Sequence, residues 1–186
     1  MSEHWLAWAA GFAAVVFAVA VAFGVVVVTR DPGVGEEVTT LFAEQVAGDL
    51  RSDSPAVLAV KLFLNNLTAC LLLFLGGASL GIITVLILSA NGFLIGAVME
   101  LVRQQQGLPY IAAALIPHGI FEIPAFLIAG GLGLLLGLEL TAEWQGNAAA
   151  RAAPLARLFL RIVVPLLAAA AVVEAFITPA ILSMIV

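Results

Sequence analysis

The chain has 186 residues, of which 63% are hydrophobic and only 10% are charged, and its formal net charge at pH 7 is −5. Soluble domains contain roughly 45–50% apolar residues, so this composition excludes an ordinary soluble domain and indicates an integral membrane protein. The few basic residues form no basic patch, which excludes nucleic acid as an expected partner. The lipid bilayer is the partner that the composition predicts.

Five apolar runs are long enough to cross a bilayer, because a hydrocarbon core about 30 Å thick needs about 20 apolar residues per helix. They lie at 5–28, 57–75, 80–102, 111–137 and 158–185. The first run is too long for a secretory signal and lacks its basic flank, so we expect a retained anchor helix. We therefore predict an all-α membrane protein in which residues 1–186 form a single domain, a bundle of five transmembrane helices.

A short amphipathic helix is predicted between the first and second spans, at 36–51. Apolar residues recur there at helical spacing, while acidic residues occupy the other faces. The apolar residues are Val38, Leu41, Phe42, Val46 and Leu50. Helices that bind anionic lipid usually carry Lys and Arg, so we expect this acidic helix to pack on the protein's own spans.

The second and third spans meet at 76–81, which reads Gly-Gly-Ala-Ser-Leu-Gly. This connection is too short for anything except a tight hairpin or a kinked continuation. If it is a hairpin, the two helices are antiparallel neighbours. The next loop ends at Gly107 and Pro109, a typical helix end followed by a helix start.

Small residues spaced by four mark two candidate helix-packing surfaces. Gly92 and Gly96 form one row, and Ala129, Gly133 and Gly137 form the other. Such rows let two helix backbones approach closely in a membrane. The partner of each row is either another span of this chain or a second copy.

The fourth span contains two prolines, Pro117 and Pro124, which we expect to kink the helix. Each proline removes one backbone hydrogen bond, leaving the carbonyls of Ala113 and Ile120 without their usual donors. A membrane protein tolerates such places where they are buried in protein or line a cavity. The alternative is that the freed carbonyls help to coordinate an ion.

Polar side chains fall near the middle of four of the five spans, and we predict that they form one mid-membrane polar site. They are Asn65, Asn66, Asn91, His118, Glu122 and Glu174. His118 and Glu122 stand at i and i+4, so they share one helix face. The asparagines are typical of hydrogen bonds between membrane helices. Two carboxylates in one low-dielectric site repel each other, so a proton held there is either structural or transported.

No metal, cofactor or catalytic residue is expected. A catalytic zinc uses about three protein ligands, typically with more than one histidine, and beyond His118 the chain offers only His4. The sequence has no nucleophile elbow, phosphate loop or paired-histidine motif. We therefore expect that the protein is not an enzyme.

Four motifs occur in order along the chain. They are Phe63-x-Asn65-Asn66, the pair Gly76-Gly77 with Gly81, Asn91-Gly92 followed by Gly96, and Pro117-His118-Gly119-Ile120-Phe121-Glu122-Ile123-Pro124-Ala125. Together they resemble the stage II sporulation protein M family over roughly residues 55–140. The resemblance implies a five-helix protein in the plasma membrane of a prokaryote. It also implies kinship with the family's namesake, a membrane scaffold for peptidoglycan-degrading partners.

The expected function is that of a non-enzymatic membrane scaffold or assembly protein. It acts as a homo-oligomer or with other membrane proteins. The alternative is a small proton- or cation-translocating transporter or channel subunit that uses the mid-membrane polar site. The sequence leaves the ion, the partner and the membrane orientation open.

Overall fold

The computed structural model describes residues 3–42, 54–147 and 151–184, and within these ranges every regular element is a helix. The first five helices in chain order are α1 Glu3–Arg30, α2 Pro32–Phe42, α3 Pro55–Leu75, α4 Ile82–Gln106 and α5 Leu108–Trp144. They are followed by α6 Ala152–Leu158, α7 Val164–Val172 and α8 Thr178–Leu182. The all-α prediction is confirmed for the described residues.

Five of the helical segments are long and apolar enough to cross a membrane, as predicted. They are His4–Arg30, Pro55–Ser79, Ile82–Gln106, Leu108–Trp144 and Ala152–Leu182. The last two extend beyond the predicted spans 111–137 and 158–185 into the stretch that lies between them.

α2 begins where Asp31 accepts a hydrogen bond of 3.0 Å from the backbone N–H of Gly33. Val38 packs against a buried cluster that joins α1 and α4, formed by Val28, Ala97 and Leu101. The predicted amphipathic helix at 36–51 is only partly covered, because residues 43–51 lie outside the described residues. Its full extent stays a prediction.

α5 lies at the centre of the bundle and contacts α1, α3, α4 and the C-terminal segments. Its buried face carries small and medium side chains such as Ala125, Ala129 and Leu132, which belong to the main hydrophobic cluster. The chain continues as helix through Pro117 and Pro124. This central position explains why polar residues on α5 can meet those of its neighbours.

The connection between α3 and α4 is a tight hairpin. Gly76–Ser79 forms a single 3-10 turn, and Leu80 and Gly81 follow with φ of 59° and 85°. The left-handed conformation suits Gly81, which has no Cβ. The Thr84 hydroxyl then donates a buried hydrogen bond of 2.9 Å to the carbonyl of Leu73. The two helices are antiparallel neighbours, as the hairpin interpretation requires.

Glycines allow α1 and α4 to pack backbone to backbone. A Cβ on Gly96 would collide with the carbonyl oxygen of Val21, and one on Gly92 would lie 2.8 Å from the carbonyl oxygen of Phe17. On α1, a Cβ on Gly24 would collide with the carbonyl oxygen of Phe93. The row of Gly92 and Gly96 therefore contacts another span of the same chain.

The second glycine row lies against the hairpin. A Cβ on Gly133 would collide with the carbonyl oxygen of Leu73, and one on Gly137 would lie 2.9 Å from the backbone nitrogen of Gly81. Gly77 in the hairpin faces Gly133 in return. This row too packs within the chain.

The segment Ala152–Leu182, called the C-terminal helix below, is interrupted by two π-helical turns. They are Phe159–Val163 and Val173–Ile177. Each turn comes shortly before a proline, Pro165 or Pro179. A proline has no N–H to donate, and its ring clashes with the carbonyl four residues earlier, so a wider turn relieves the conflict. Local π adjustments of this kind accommodate proline in membrane helices.

Candidate functional site

Three ionisable side chains meet between α5 and the C-terminal helix. His118 and Glu122 come from α5, and Glu174 comes from the second π-helical turn. One ligand atom from each lies within 4.8 Å of the other two. We call these three residues the polar cluster. All three are partly exposed rather than fully buried.

The local sequence explains how the polar cluster forms. His118 and Glu122 share a face of α5 because they are one helical turn apart. Glu174 lies in a π-helical turn, where the helix is wider and the side-chain positions are shifted from those of a regular α-helix. Single π-helical turns inside α-helices occur frequently at functional sites.

α3 forms a third wall of the site. The side chain of Asn66 lies beside the carboxylate of Glu122 and interacts with it, and Glu122 also interacts electrostatically with both Glu174 and His118. Cys70, one turn further along α3, is buried and interacts electrostatically with Glu122. The site is therefore built from three spans.

His118 carries a buried polar atom that no described residue hydrogen-bonds. Its Nδ1 atom is inaccessible to solvent and has no hydrogen-bond partner among the described residues. A buried polar atom left without a partner costs roughly 1–3 kcal/mol. This orphan nitrogen is an unexplained feature of the site.

The two remaining asparagines predicted for the site occupy other positions. The side chain of Asn65 is exposed, and its Nδ2 atom donates to Oδ1 of Asn66 over 3.4 Å. Asn91 donates a hydrogen bond of 2.9 Å to the carbonyl of Ile87 in its own helix. The structure therefore brings Asn66, His118, Glu122 and Glu174 together, with Asn65 beside them on the outer surface.

The donor atoms of the polar cluster suit positively charged species. Two carboxylates in a low-dielectric site are stabilised by two positive charges, supplied by protons or by one divalent cation. The expectation of no metal site rested on the number of histidines in the sequence. The structure places Glu174, which the sequence predicted to share this polar site, close enough to His118 and Glu122 to be a third potential ligand.

Glu100 is a polar residue that the sequence analysis did not single out. It lies in α4 and is only 4% exposed. Its carboxylate accepts hydrogen bonds from Arg103 at 2.7 Å, from Gln104 at 2.9 Å and from Thr29 of α1 at 3.1 Å. The signal available in the sequence was the spacing of Glu100 and Arg103, at i and i+3 on one helix face.

A second ion pair joins α5 to the start of the C-terminal helix. The guanidinium of Arg151 donates to the carboxylate of Glu139 at 2.7 Å, and the backbone N–H of Arg151 donates to the same group at 3.3 Å. The hydrogen-bonded carboxylate raises the pKa of Arg151 above its ordinary value. Arg151 is exposed, so this pair closes the connection between the two spans at the bundle surface.

Comparison with known proteins gives one family and one relative. The profile of the family described as Stage II sporulation protein M matches residues 13–179. An uncharacterized protein of Methanocaldococcus jannaschii is 35% identical over 78 residues, which is 41% of this chain and 44% of that protein. The match thus spans less than half the length of that relative. No solved structure matches the chain.

Proposed function

The chain belongs to the Stage II sporulation protein M family, and from this premise we propose that it is a non-enzymatic scaffold or assembly protein. Its proposed location is the plasma membrane of a prokaryotic cell. Its proposed task is to hold other membrane proteins through the surfaces of its spanning helices. Family membership supports the membrane setting. The surface that carries Asn65, Glu122 and Glu174 supports the scaffold role.

The observation that carries the proposal is the exposure of polar groups near the middle of the spans. Asn65 is exposed on α3, and the adjacent Glu122 and Glu174 are partly exposed. A charged side chain facing hydrocarbon at the centre of a bilayer costs about 2.5–3.5 kcal/mol on insertion scales. A protein surface that covers these groups removes that cost.

The proposed partner is therefore a membrane-spanning helix that presents hydrogen-bonding side chains at the same depth. Hydrogen bonds between membrane helices contribute about 0.6 kcal/mol on average, so several of them together with close packing are needed for a stable contact. In this proposal the partner helix belongs to a different protein. A contact only with a second copy is the competing outcome.

The experiment uses a photo-crosslinking amino acid in the full chain, expressed in its own host. The test position is Asn65, and the control position is Phe12, which is 54% exposed on α1. The scaffold proposal predicts that position 65 gives a discrete adduct with a second polypeptide, recovered in fixed stoichiometry after mild detergent extraction. Position 12 should give no such adduct.

Two results would contradict the proposal. Adducts at position 65 that contain only lipid would mean that no protein covers this surface. Adducts that contain only a second copy of the chain would favour the transport alternative, because a homo-oligomer with no partner has nothing to assemble. In that case ion flux through proteoliposomes of the purified protein becomes the next measurement.

A further inference from the structure

We propose that His118, Glu122 and Glu174 form a binding site for one divalent transition-metal ion, such as Zn²⁺ or Mn²⁺. The site goes beyond the scaffold role and does not depend on it. The metal would connect α5 to the C-terminal helix inside the membrane. Four properties of the described residues support this assignment.

The first property is the set of donor atoms. One imidazole nitrogen and two carboxylate oxygens are the mixed nitrogen and oxygen donors that suit zinc, iron and manganese. Three protein ligands are also the number found in zinc sites that keep one coordination position open. The partial exposure of the three residues is compatible with such an open position.

The second property is distance. One ligand atom of each residue lies within 4.8 Å of the others. Donor atoms around a tetrahedral metal with bonds of about 2.0–2.1 Å are roughly 3.3 Å apart. Closing the site around a metal ion therefore requires the separations to shorten by about 1.5 Å or less.

The third property is charge. Carboxylate oxygens of Glu122 and Glu174 lie within 4.8 Å of each other, within the membrane-spanning segments. A divalent ion supplies two positive charges and neutralises both carboxylates at once. Charge neutrality makes burial at mid-membrane far less costly than burial of two separate anions.

The fourth property is the surroundings. The Nδ1 atom of His118 is buried without a hydrogen-bond partner among the described residues. One of the two imidazole nitrogens lies within 4.8 Å of a carboxylate oxygen of Glu122 and of Glu174. Asn66 of α3 interacts with Glu122 and would orient that carboxylate. Outer groups of this type hold metal ligands in place and influence metal affinity by about 10- to 100-fold.

The test measures metal binding by the full-length protein purified in mild detergent. The protein is first stripped with a chelator and then dialysed against Zn²⁺ or Mn²⁺, and bound metal is counted by mass spectrometry. The variants are Glu122→Gln, Glu174→Gln and His118→Gln. The matched control is Glu143→Gln, the same chemical change at an exposed position of α5.

We expect one ion per chain in the wild type and in the Glu143→Gln control. Each of the three site variants should bind at least about tenfold more weakly. A Co²⁺-substituted sample should show an absorption spectrum of a low-symmetry site with nitrogen and oxygen ligands, and the spectrum should change in His118→Gln. Elution volume and far-UV circular dichroism check that each variant is folded.

The proposal is wrong if the wild type binds no more metal than Glu122→Gln, or if Glu174→Gln binds as tightly as the wild type. If a Gln variant does not fold, Glu174→Asp provides a second test. It keeps the carboxylate on a shorter side chain, so intermediate affinity supports the site and unchanged affinity contradicts it. Partner recovery is a separate readout, so failure of the metal site and failure of the scaffold role are distinguishable.

Discussion

The hydroxyl of Thr29 in α1 lies 3.1 Å from the buried carboxylate of Glu100 in α4 and shares its hydrogen between that carboxylate and the carbonyl of Val25, which is 2.8 Å away. The same carboxylate forms two bonds of 2.7 Å with the guanidinium of Arg103. The Glu100 carboxylate thus contacts donors on two spanning helices, close to the end of α4. Removing this carboxylate affects the contact between α1 and α4 as well as the last turns of α4.

Replacing Glu100 with Ala should lower the free energy of unfolding by about 1–3 kcal/mol, because Arg103 and Gln104 lose their acceptor and the link from Glu100 to Thr29 of α1 is removed, while the Thr29 hydroxyl keeps the carbonyl of Val25 as acceptor. The measurement is denaturant unfolding in detergent, followed by circular dichroism. The control is Glu143→Ala, an exposed position where the change should stay within about 0.5 kcal/mol. Equal effects of the two substitutions would show that Glu100 does not join the helices.

Replacing Gly96 with Ala should destabilise the bundle by about 1–3 kcal/mol, because the added Cβ collides with the carbonyl oxygen of Val21 and pushes α1 away from α4. The matched control is Gly11→Ala in α1, where a Cβ has nothing within 4 Å. That control should be neutral or stabilising by up to about 1 kcal/mol, since Ala favours helix more than Gly. The measurement is the unfolding midpoint of each variant and of the wild type in the same detergent. A Gly96→Ala variant as stable as the wild type would contradict the observed packing.

Replacing Thr84 with Val removes the buried hydrogen bond of 2.9 Å to the carbonyl of Leu73. We expect a loss of about 0.6–1.7 kcal/mol in the free energy of unfolding, the range found for hydrogen bonds between membrane helices. Thr68→Val is the control, because the Thr68 hydroxyl bonds only to the carbonyl of Leu64 in its own helix and is exposed. A control that loses as much as Thr84→Val would mean that the bond across the hairpin adds nothing specific.

Replacing Arg151 with Gln should have a small effect that disappears at high salt, because the pair with Glu139 is solvent-exposed on the arginine side. Glu139 raises the pKa of Arg151, so the stabilisation is fully present below the unfolded-state pKa and is lost only as pH rises through the still higher folded value. The titration of Arg151 therefore adds no pH dependence near neutrality. The measurement is the unfolding midpoint of the wild type and of Arg151→Gln at low and at high salt. A difference between the two midpoints that does not change with salt would contradict the prediction.

Two substitutions should separate the scaffold role from metal binding. Glu122→Gln keeps hydrogen-bonding capacity but loses a negative ligand, so partner recovery should be unchanged while metal binding falls. Asn65→Leu removes an exposed polar side chain outside the polar cluster, so metal binding should be retained while partner recovery falls several-fold. Quantitative mass spectrometry of both partner and metal in one purification measures the two effects. The reverse pattern would contradict both proposals.

The membrane setting and the five spans follow from the sequence alone, which also limited the connection between α3 and α4 to a tight hairpin or a kinked continuation. These features are local, because a span needs only a sufficient length of apolar residues and a hairpin needs only a short connection with residues that tolerate a left-handed conformation. It also marked His118 and Glu122 as a pair, since residues one turn apart share a face of any helix. The start of α2 did not follow from the sequence in this way. The apolar pattern predicted a helix from residue 36, whereas α2 begins at Pro32.

Only the tertiary structure decided which polar residues meet. Asn91 and Asn66 both lie near the middle of their spans, yet Asn91 bonds within its own helix, whereas Glu174 reaches the pair on α5. Depth follows from position in the sequence, but the direction that a side chain faces depends on how each helix is rotated against its neighbours. For Glu174 that rotation includes a π-helical turn before Pro179, a local widening that no regular helical periodicity predicts.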